Sequence, residues 1–286
     1  MTVLKEFIGQ AQDKLIAAGV ESADLDVRLL TQHVLGWTQT KLLLNLNHVL
    51  GDAEVKDLNA AITRRAAREP VSRIIGRRAF WKSDFRISPQ TLDPRPDSET
   101  LVESALNFTR PEPATILDLG TGSGCLLLSL LIEWPKARGV GIDISEEAVA
   151  TARENADALG LRARAAFIAL DWAQYIPGKD IPGGAFDLVI SNPPYIAESE
   201  LKDLAPEVAQ YDPLRALAAG PEGLDCYNAI AEQLNKWLKP AGWAVFEIGH
   251  TQAQAVKSIL ALHGMTVLHV ISDLAGSDRV IVARRP

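Results

Sequence analysis

Cysteine, histidine clusters and long apolar runs are all scarce or missing in this sequence of 286 residues. The two cysteines, Cys125 and Cys226, cannot build a disulfide framework and lack the close pairing of a metal-binding motif. The five histidines show no zinc-type spacing, so we predict no metal site. No stretch approaches the ~20 apolar residues that a membrane-spanning helix needs. These absences predict a cytoplasmic protein that has no membrane partner.

An excess of positive charge is also missing. The net charge is -7 and the pI is near 5.3, which argues against stable nucleic-acid binding because that affinity comes largely from Lys and Arg on phosphates. One local basic run stands at a predicted domain junction, and we interpret it as a solvated helix face rather than as a docking surface for an acidic partner. It consists of Arg64, Arg65, Arg68, Arg73, Arg77 and Arg78.

The first quarter of the chain has a helical pattern. Apolar residues such as Leu4, Phe7, Ala11 and Leu15 recur at the spacing of one helix face, and similar stripes follow as far as residue 67. After Pro70 the pattern changes to two short strands around residues 82–84. We therefore predict an N-terminal helical domain over residues 1–75, a β-hairpin linker over 76–96 and a second domain over 97–286.

Strand and helix patterns alternate beyond Pro113, which is typical of a parallel sheet covered by helices on both faces. Only a short turn separates the last two predicted strands, so we expect them to be antiparallel. The predicted strands cover 115–119, 138–143, 165–169, 186–191, 243–248, 267–271 and 279–283.

A glycine-rich turn follows the first of these strands. Gly120-Thr121-Gly122-Ser123-Gly124 lets backbone approach a bound nucleoside because no Cβ intervenes at the glycines. A dinucleotide fingerprint has its third glycine where this chain has Cys125, which weighs against NAD or FAD. Asp143 ends the next strand at the distance expected of a ribose-binding carboxylate. The combination favours S-adenosylmethionine as the cofactor.

Trp172 follows the third strand, where a loop would border the adenine. Packing against adenine and simple membership of the core are equally good interpretations of this tryptophan.

The segment Asn192-Pro193-Pro194-Tyr195 is the most specific pattern in the chain. It follows the fourth strand, at the carboxyl edge where open α/β sheets bind ligands. An amide or aromatic-amine nitrogen is a poor nucleophile, so its NH2 group must be held by acceptors. The Asn192 side-chain oxygen and the rigidly placed Pro193 carbonyl can accept these hydrogen bonds, and Tyr195 can stack on the planar group. We predict that these four residues form a substrate clamp.

The two motifs together resemble class I methyltransferases that act on exocyclic amino or amide nitrogens. The flanking residues are similar to the peptide chain release factor glutamine methyltransferase family, from about Arg68 to Arg284. The segments that carry this resemblance are 80–81, 94–99, 211–213, 216–217, 247–249, 273–276 and 278–279. One departure is Asp93 before Pro94, where we expect an apolar residue.

The resemblance implies a Rossmann-like seven-stranded catalytic domain, a hairpin hinge and an N-terminal helical domain for substrate recognition. It implies N5-methylation of the glutamine in the Gly-Gly-Gln motif of class 1 release factors. We also expect the protein to be a monomer. The family's cofactor positions correspond here to Gly120 to Gly124, Asp143, Trp172 and Asn192. Its substrate clamp corresponds to Asn192 to Tyr195.

Two other functions share parts of this pattern. An adenine-N6 methyltransferase acting on DNA or RNA would use the same clamp, although no separate basic target-recognition region is present. A non-catalytic interaction protein could retain the fold, but the intact Gly120 turn, Asp143 and Asn192 argue against loss of the site.

Overall fold

A computed structural model describes residues 2–178 and 184–286 of the chain. The helices are α1 (Leu4–Ala17), α2 (Ala23–Leu35), α3 (Gln39–Leu44), α4 (Asp52–Ala66), α5 (Val71–Ile75), α6 (Glu99–Phe108), α7 (Cys125–Glu133), α8 (Glu146–Ala158), α9 (Pro206–Tyr211), α10 (Asp225–Trp237) and α11 (Ala253–Leu262). The strands are β1 (Thr2–Val3), β2 (Val49–Leu50), β3 (Arg77–Phe80), β4 (Ser83–Arg86), β5 (Thr115–Leu119), β6 (Arg138–Asp143), β7 (Ala165–Ala169), β8 (Phe186–Ser191), β9 (Leu238–Glu247), β10 (Thr266–Ser272) and β11 (Asp278–Arg284). Contacts divide the chain into two units. Unit 1 comprises Met1–Arg77 with Ala205–Tyr211, and unit 2 comprises Arg78–Leu204 with Asp212–Pro286.

Unit 1 is built around the apolar faces of its helices. On α1, Leu4, Phe7, Ala11 and Leu15 are buried, as their spacing predicts, whereas Ile16 is exposed. The helical interpretation of the segment from Thr2 onward was wrong at two places, because β1 pairs antiparallel with β2. Each of these strands has only two residues, too few to produce an alternating pattern.

A cluster of buried and partly buried ion pairs holds α9 within unit 1. The Arg65 guanidinium lies 2.7 Å from Asp26 Oδ2 and 3.1 Å from Glu207 Oε1. Arg68 Nε lies 2.7 Å from the same Glu207 oxygen. The Tyr211 hydroxyl donates to the Ala67 carbonyl. The interpretation of the basic run as a solvated face is therefore wrong for Arg65, which is buried and neutralised inside the unit.

Unit 2 begins with the hairpin of β3 and β4, whose turn falls at Trp81 and Lys82. Its seven-stranded sheet has the order β10-β11-β9-β8-β5-β6-β7. The strands from β9 to β7 are parallel, and β11 is antiparallel to both β9 and β10, as the short final turn predicts. One apolar core contains buried side chains of α6, α7 and α8, and a second contains buried side chains of α10 and α11. The predicted layered α/β architecture is confirmed.

The strand order places a binding crevice at one position. The chain runs from β5 to β6 and β7 on one side, and then returns to β8 on the other side of β5. Ligands of open α/β sheets bind at the carboxyl ends of the strands where the order reverses. The ends of β5 and β8, at Leu119 and Ser191, are joined by a hydrogen bond of 2.7 Å from the Ser191 hydroxyl to the Leu119 carbonyl.

Candidate active site

The glycine turn after β5 is shaped by its backbone. Gly120, Gly122 and Gly124 all have positive φ, which side chains with a Cβ rarely adopt. At Gly124, the first residue before α7, a Cβ would also lie 3.2 Å from the side chains of Ala152, Leu128 and Phe167. Glycine is required at this position both for the conformation and for close packing.

Asp118 and Asn155 support the turn from beneath. The Thr121 hydroxyl donates to Asp118 Oδ2 across 2.6 Å. The buried Asn155 amide donates to the Ser123 carbonyl and also bonds both backbone groups of Arg86. Burial raises the pKa of Asp118 to about 7, against the lowering effect of the Thr121 hydrogen bond. The turn is thus fixed before any ligand arrives.

Asp143, at the end of β6, is held by two backbone donors. Its Oδ2 accepts from the Gly122 nitrogen and its Oδ1 from the Ser145 nitrogen, each across 2.9 Å. Burial raises the pKa of the carboxyl, and the two backbone hydrogen bonds lower it. Each oxygen retains a further lone pair, so the carboxylate can also accept from a diol.

A cavity of about 470 Å³ opens at these strand ends, within the range of small-molecule sites. Its lining includes eight of the residues predicted from the sequence: Gly120, Thr121, Gly122, Ser123, Asp143, Trp172, Asn192 and Pro194. Gly124, Pro193 and Tyr195 are not among the lining residues. The arrangement fits S-adenosylmethionine, because a fixed carboxylate and a glycine wall stand beside the apolar side chains of Leu126, Leu170 and Trp172.

The Asn192 side chain has a defined orientation. Its Nδ2 donates to the buried Ser98 Oγ across 3.2 Å, and Ser98 belongs to a 3-10 turn over Pro96–Ser98 that precedes α6. An amide that donates inward through Nδ2 presents its Oδ1 on the opposite edge. Asn192 therefore offers an acceptor at the wall of the cavity.

The rest of the Asn-Pro-Pro-Tyr loop is anchored on both sides. Gln252 Nε2 donates to the Tyr195 carbonyl across 2.9 Å, and Ile196 forms a bridge with Ala218. The Tyr195 hydroxyl donates to Glu247 Oε1 across 3.5 Å, and burial raises the pKa of this tyrosine. The stacking of Tyr195 on a substrate stays a prediction.

Several residues of the site were missed by sequence reasoning about the two motifs. Arg215 and Gln90 line the cavity and are joined by a hydrogen bond of 2.6 Å. Ser98, Gln252 and Glu247 position the loop that carries Asn192. Of these, Ser98 and Glu247 lie in the segments 94–99 and 247–249 that carry the family resemblance, whereas Gln90, Arg215 and Gln252 lie outside the motifs and segments that the sequence singled out.

Asp93, the unusual residue before Pro94, is buried with polar partners. Its carboxylate lies 3.8 Å from Arg78 Nε, and its backbone nitrogen donates to Asp212 Oδ1. Asp212 also pairs with Arg95. The acidic side chain is thus compensated by a nearby cation.

Comparisons with known proteins agree with this architecture. Residues 112–260 match the family described as a methyltransferase domain, and residues 6–76 match the family described as the PrmC N-terminal domain. A solved methyltransferase from Pyrococcus furiosus superposes with a TM-score of 0.50 at 18% identity, covering 72% of this chain and 90% of that one, which supports the fold alone. The fold and site define a class I, S-adenosylmethionine-dependent methyltransferase.

Comparison with sequence relatives identifies the family within this class of methyltransferases. The release factor glutamine methyltransferase of Rhodospirillum rubrum is 46% identical over 283 residues, covering 99% of this chain and 85% of that protein. The protein of the same name from Caulobacter vibrioides is 41% identical over 283 residues, covering 99% and 96%. This chain belongs to the release factor glutamine methyltransferase family. In residues 2–178 and 184–286, no helix has the length and apolar character needed to cross a bilayer.

Proposed function

We propose that this protein methylates the side-chain nitrogen of the glutamine in the Gly-Gly-Gln motif of class 1 peptide chain release factors. The observation that carries the proposal is the orientation of Asn192, whose Nδ2 is engaged by Ser98 so that Oδ1 is available to a substrate NH2 group. A carboxamide donates two hydrogen bonds from one nitrogen, which matches a pair of oxygen acceptors. The Pro193 carbonyl serves as the second acceptor.

When bound, S-adenosylmethionine supplies an electrophilic methyl group on its sulfonium. Methyl transfer to the glutamine Nε2 would break the sulfur–carbon bond, leave S-adenosylhomocysteine and release one proton from the nitrogen to solvent. Asn192 and Pro193 orient the nitrogen and stabilise the positive charge that develops on it. Because the loop is already anchored by Ser98 and Gln252, little reorganisation is required at the moment of transfer.

The cofactor residues have distinct roles in this proposal. Asp143 accepts from the ribose hydroxyls, and the Gly120 to Gly124 turn, with Thr121 and Ser123, gives the nucleoside close access to backbone. Trp172 packs against the adenine; a Cβ on Gly120 would lie 3.4 Å from its ring, which supports a crowded aromatic wall here. These assignments all concern residues that line or border one cavity.

The remaining assignments concern the roles of the domains, the partner, the oligomeric state and the location in the cell. We assign substrate recognition to residues 1–75, a linker to 76–96 and catalysis to 97–286. The partner is a protein, the enzyme acts as a monomer, and its site of action is the cytoplasm, where translation terminates. The negative net charge supports a protein rather than a nucleic-acid substrate.

The test is methyl transfer from radioactive S-adenosylmethionine to a purified class 1 release factor. We expect label in the wild-type release factor and none when the glutamine of its Gly-Gly-Gln motif is replaced by alanine. Single- and double-stranded oligonucleotides serve as parallel acceptors. Label in an oligonucleotide with none in the release factor would favour the adenine-N6 alternative, and label that persists without the glutamine would point to another acceptor.

A further inference from the structure

One cation lines the cavity at the strand ends and takes no part in orienting the substrate nitrogen. Arg215 lies in the 3-10 turn Leu214–Ala216, and its exposed side chain contributes to the cavity wall. Among the lining residues that the structure describes, Arg215 is the only lysine, arginine or histidine. The acidic residues of the lining are Asp143 and Asp171. The wall therefore offers a single positive site to an anionic group of a ligand.

The guanidinium of Arg215 is held in place but is not neutralised. Its Nη2 donates to Gln90 Oε1 across 2.6 Å, and Gln90 also lines the cavity. Within residues 2–178 and 184–286, this guanidinium forms no ion pair with a carboxylate. A guanidinium carries several N–H donors, so one hydrogen bond to a neutral amide leaves others for a ligand. Gln90 thus fixes the direction of the cation without compensating its charge.

The backbone after Arg215 is joined to the Asn192–Tyr195 loop. The Leu217 carbonyl accepts from the Ile196 nitrogen, the residue that follows this loop, across 2.9 Å. The cation therefore belongs to a segment beside the loop at which methyl transfer is proposed. It does not belong to the loop after β7, which carries Trp172 and borders the proposed adenine position.

The cofactor has one group that is complementary to this cation. S-adenosylmethionine carries positive charges on its sulfonium and α-ammonium, and its only negative charge is on the α-carboxylate. Two methylene groups and the α-carbon separate the sulfur from this carboxylate. A cofactor that presents its methyl group to Asn192 therefore also holds the carboxylate near that loop. Arginine binds carboxylates in a bidentate, geometrically selective way.

We infer that Arg215 is a cofactor-binding residue, which recognises the α-carboxylate of the methionyl group while Gln90 holds its guanidinium. The placement of the methionyl group rests on the proposed role of Asn192. The consequence is selectivity, because the protein should distinguish adenosyl compounds that carry this carboxylate from those that lack it. Asp143 and the glycine turn, which serve the adenosine, contribute no such selectivity.

The experiment compares two ligands that differ only in the carboxylate. Calorimetry measures Kd for S-adenosylhomocysteine and for its decarboxylated form, which keeps the adenosine, the sulfur and the amine. We expect the decarboxylated compound to bind the wild type about tenfold more weakly, the factor of one charge-assisted hydrogen bond. Arg215→Gln should raise the Kd for S-adenosylhomocysteine by the same factor of about ten. Its Kd for the decarboxylated compound should stay within about twofold of wild type, since the lost contact is absent from that complex.

Three further variants separate recognition of the carboxylate from support of the cavity wall. Arg215→Lys keeps the charge and should recover S-adenosylhomocysteine affinity to within about threefold of wild type. Gln90→Glu places an internal carboxylate beside Arg215 and should weaken S-adenosylhomocysteine without weakening the decarboxylated compound. Arg162→Gln is the matched control, because Arg162 is exposed and pairs with Asp157 away from the cavity lining. It should change neither Kd.

The two ligands also define the results that would overturn the assignment. An equal rise of both Kd values in Arg215→Gln would mean that Arg215 contacts the adenosine half or only supports the wall. Unchanged affinities in that variant, or a wild type that binds both ligands equally, would mean that Arg215 does not hold the carboxylate. These assays contain no methyl acceptor. Carboxylate-dependent binding by a protein that labels no release factor would overturn the proposed function and leave the assignment of Arg215 intact.

Discussion

The Gly122 backbone nitrogen donates to Asp143 Oδ2 across 2.9 Å, so the glycine turn after β5 fixes the carboxylate at the end of β6. This hydrogen bond joins the two elements that the sequence marks as a nucleoside site. Because Ser145 holds the other oxygen, the carboxylate has a single orientation with respect to the cavity.

Replacing this carboxylate should weaken cofactor binding. In Asp143→Asn the new NH2 group must face the N–H of either Gly122 or Ser145, and one acceptor for the ribose hydroxyls is lost. We expect the Kd for S-adenosylhomocysteine, measured by calorimetry, to rise ~10- to 100-fold. Asp157→Asn is the control, since its exposed carboxylate pairs only with Arg162 in the described residues. Unchanged affinity in Asp143→Asn would remove Asp143 from the cofactor site.

Removing the Asn192 amide should affect turnover far more than cofactor binding. We expect Asn192→Ala to lower kcat ~100- to 1000-fold, the cost of losing a preorganised polar group at the reacting centre, with Kd for S-adenosylhomocysteine within about threefold. Asn228→Ala, which removes an exposed amide on α10, should leave both quantities unchanged. Equal losses of kcat and affinity in Asn192→Ala would contradict its assigned role.

The buried Asp118 should make stability depend on pH in a defined direction. Its folded-state pKa is raised to about 7, so folding favours the protonated form, and this contribution is lost as the pH rises from ~4 through about 7. Asp118→Asn can still accept from Thr121 but does not titrate. Relative to wild type, the variant should therefore gain at least ~1 kcal/mol in free energy of unfolding between pH 5 and 8, measured with urea. A difference that does not change with pH would show that Asp118 titrates normally.

The ion pairs of unit 1 give a stability prediction with an internal control on the same helix. Asp26 is buried against Arg65, whereas Asp24 is an exposed partner of Arg28. Asp26→Ala leaves a buried guanidinium with one carboxylate fewer and should lower the stability of unit 1 by ~3 kcal/mol. Asp24→Ala should change it by no more than ~1 kcal/mol. Equal effects in urea denaturation would mean that the Asp26–Arg65 pair contributes no more than a surface contact.

The sequence alone predicted the central strands closely, and the reason is physical. β5, β6, β7 and β8 have the predicted bounds because each is a largely apolar run that ends at turn residues. β5 and β8 are buried along almost their whole length, whereas β7, at the edge of the sheet, is only partly buried. β9 starts earlier than predicted, at Leu238, because Lys239 and Pro240 interrupt the apolar pattern. Short elements such as α9 were not predicted, since Glu207 is held by Arg65, 142 positions away in the chain.

The residues of the candidate site also fall into those that local sequence predicts and those that depend on distant contacts. Gly120, Asp143 and Asn192 were predictable because each belongs to a local motif whose spacing reflects its chemistry. Their supporting contacts were not, because Ser98 lies 94 positions from Asn192 and Glu247 lies 52 from Tyr195. Only a folded chain reveals which distant residue fixes the orientation of an amide.

The most direct test of the account is a crystal structure of the protein with S-adenosylhomocysteine and a release factor or a peptide that contains the Gly-Gly-Gln motif. The account predicts the glutamine Nε2 within ~2.7–3.2 Å of both Asn192 Oδ1 and the Pro193 carbonyl, facing the cofactor sulfur. A structure in which Asn192 turns Nδ2 toward the substrate, or in which the glutamine binds elsewhere, would contradict it.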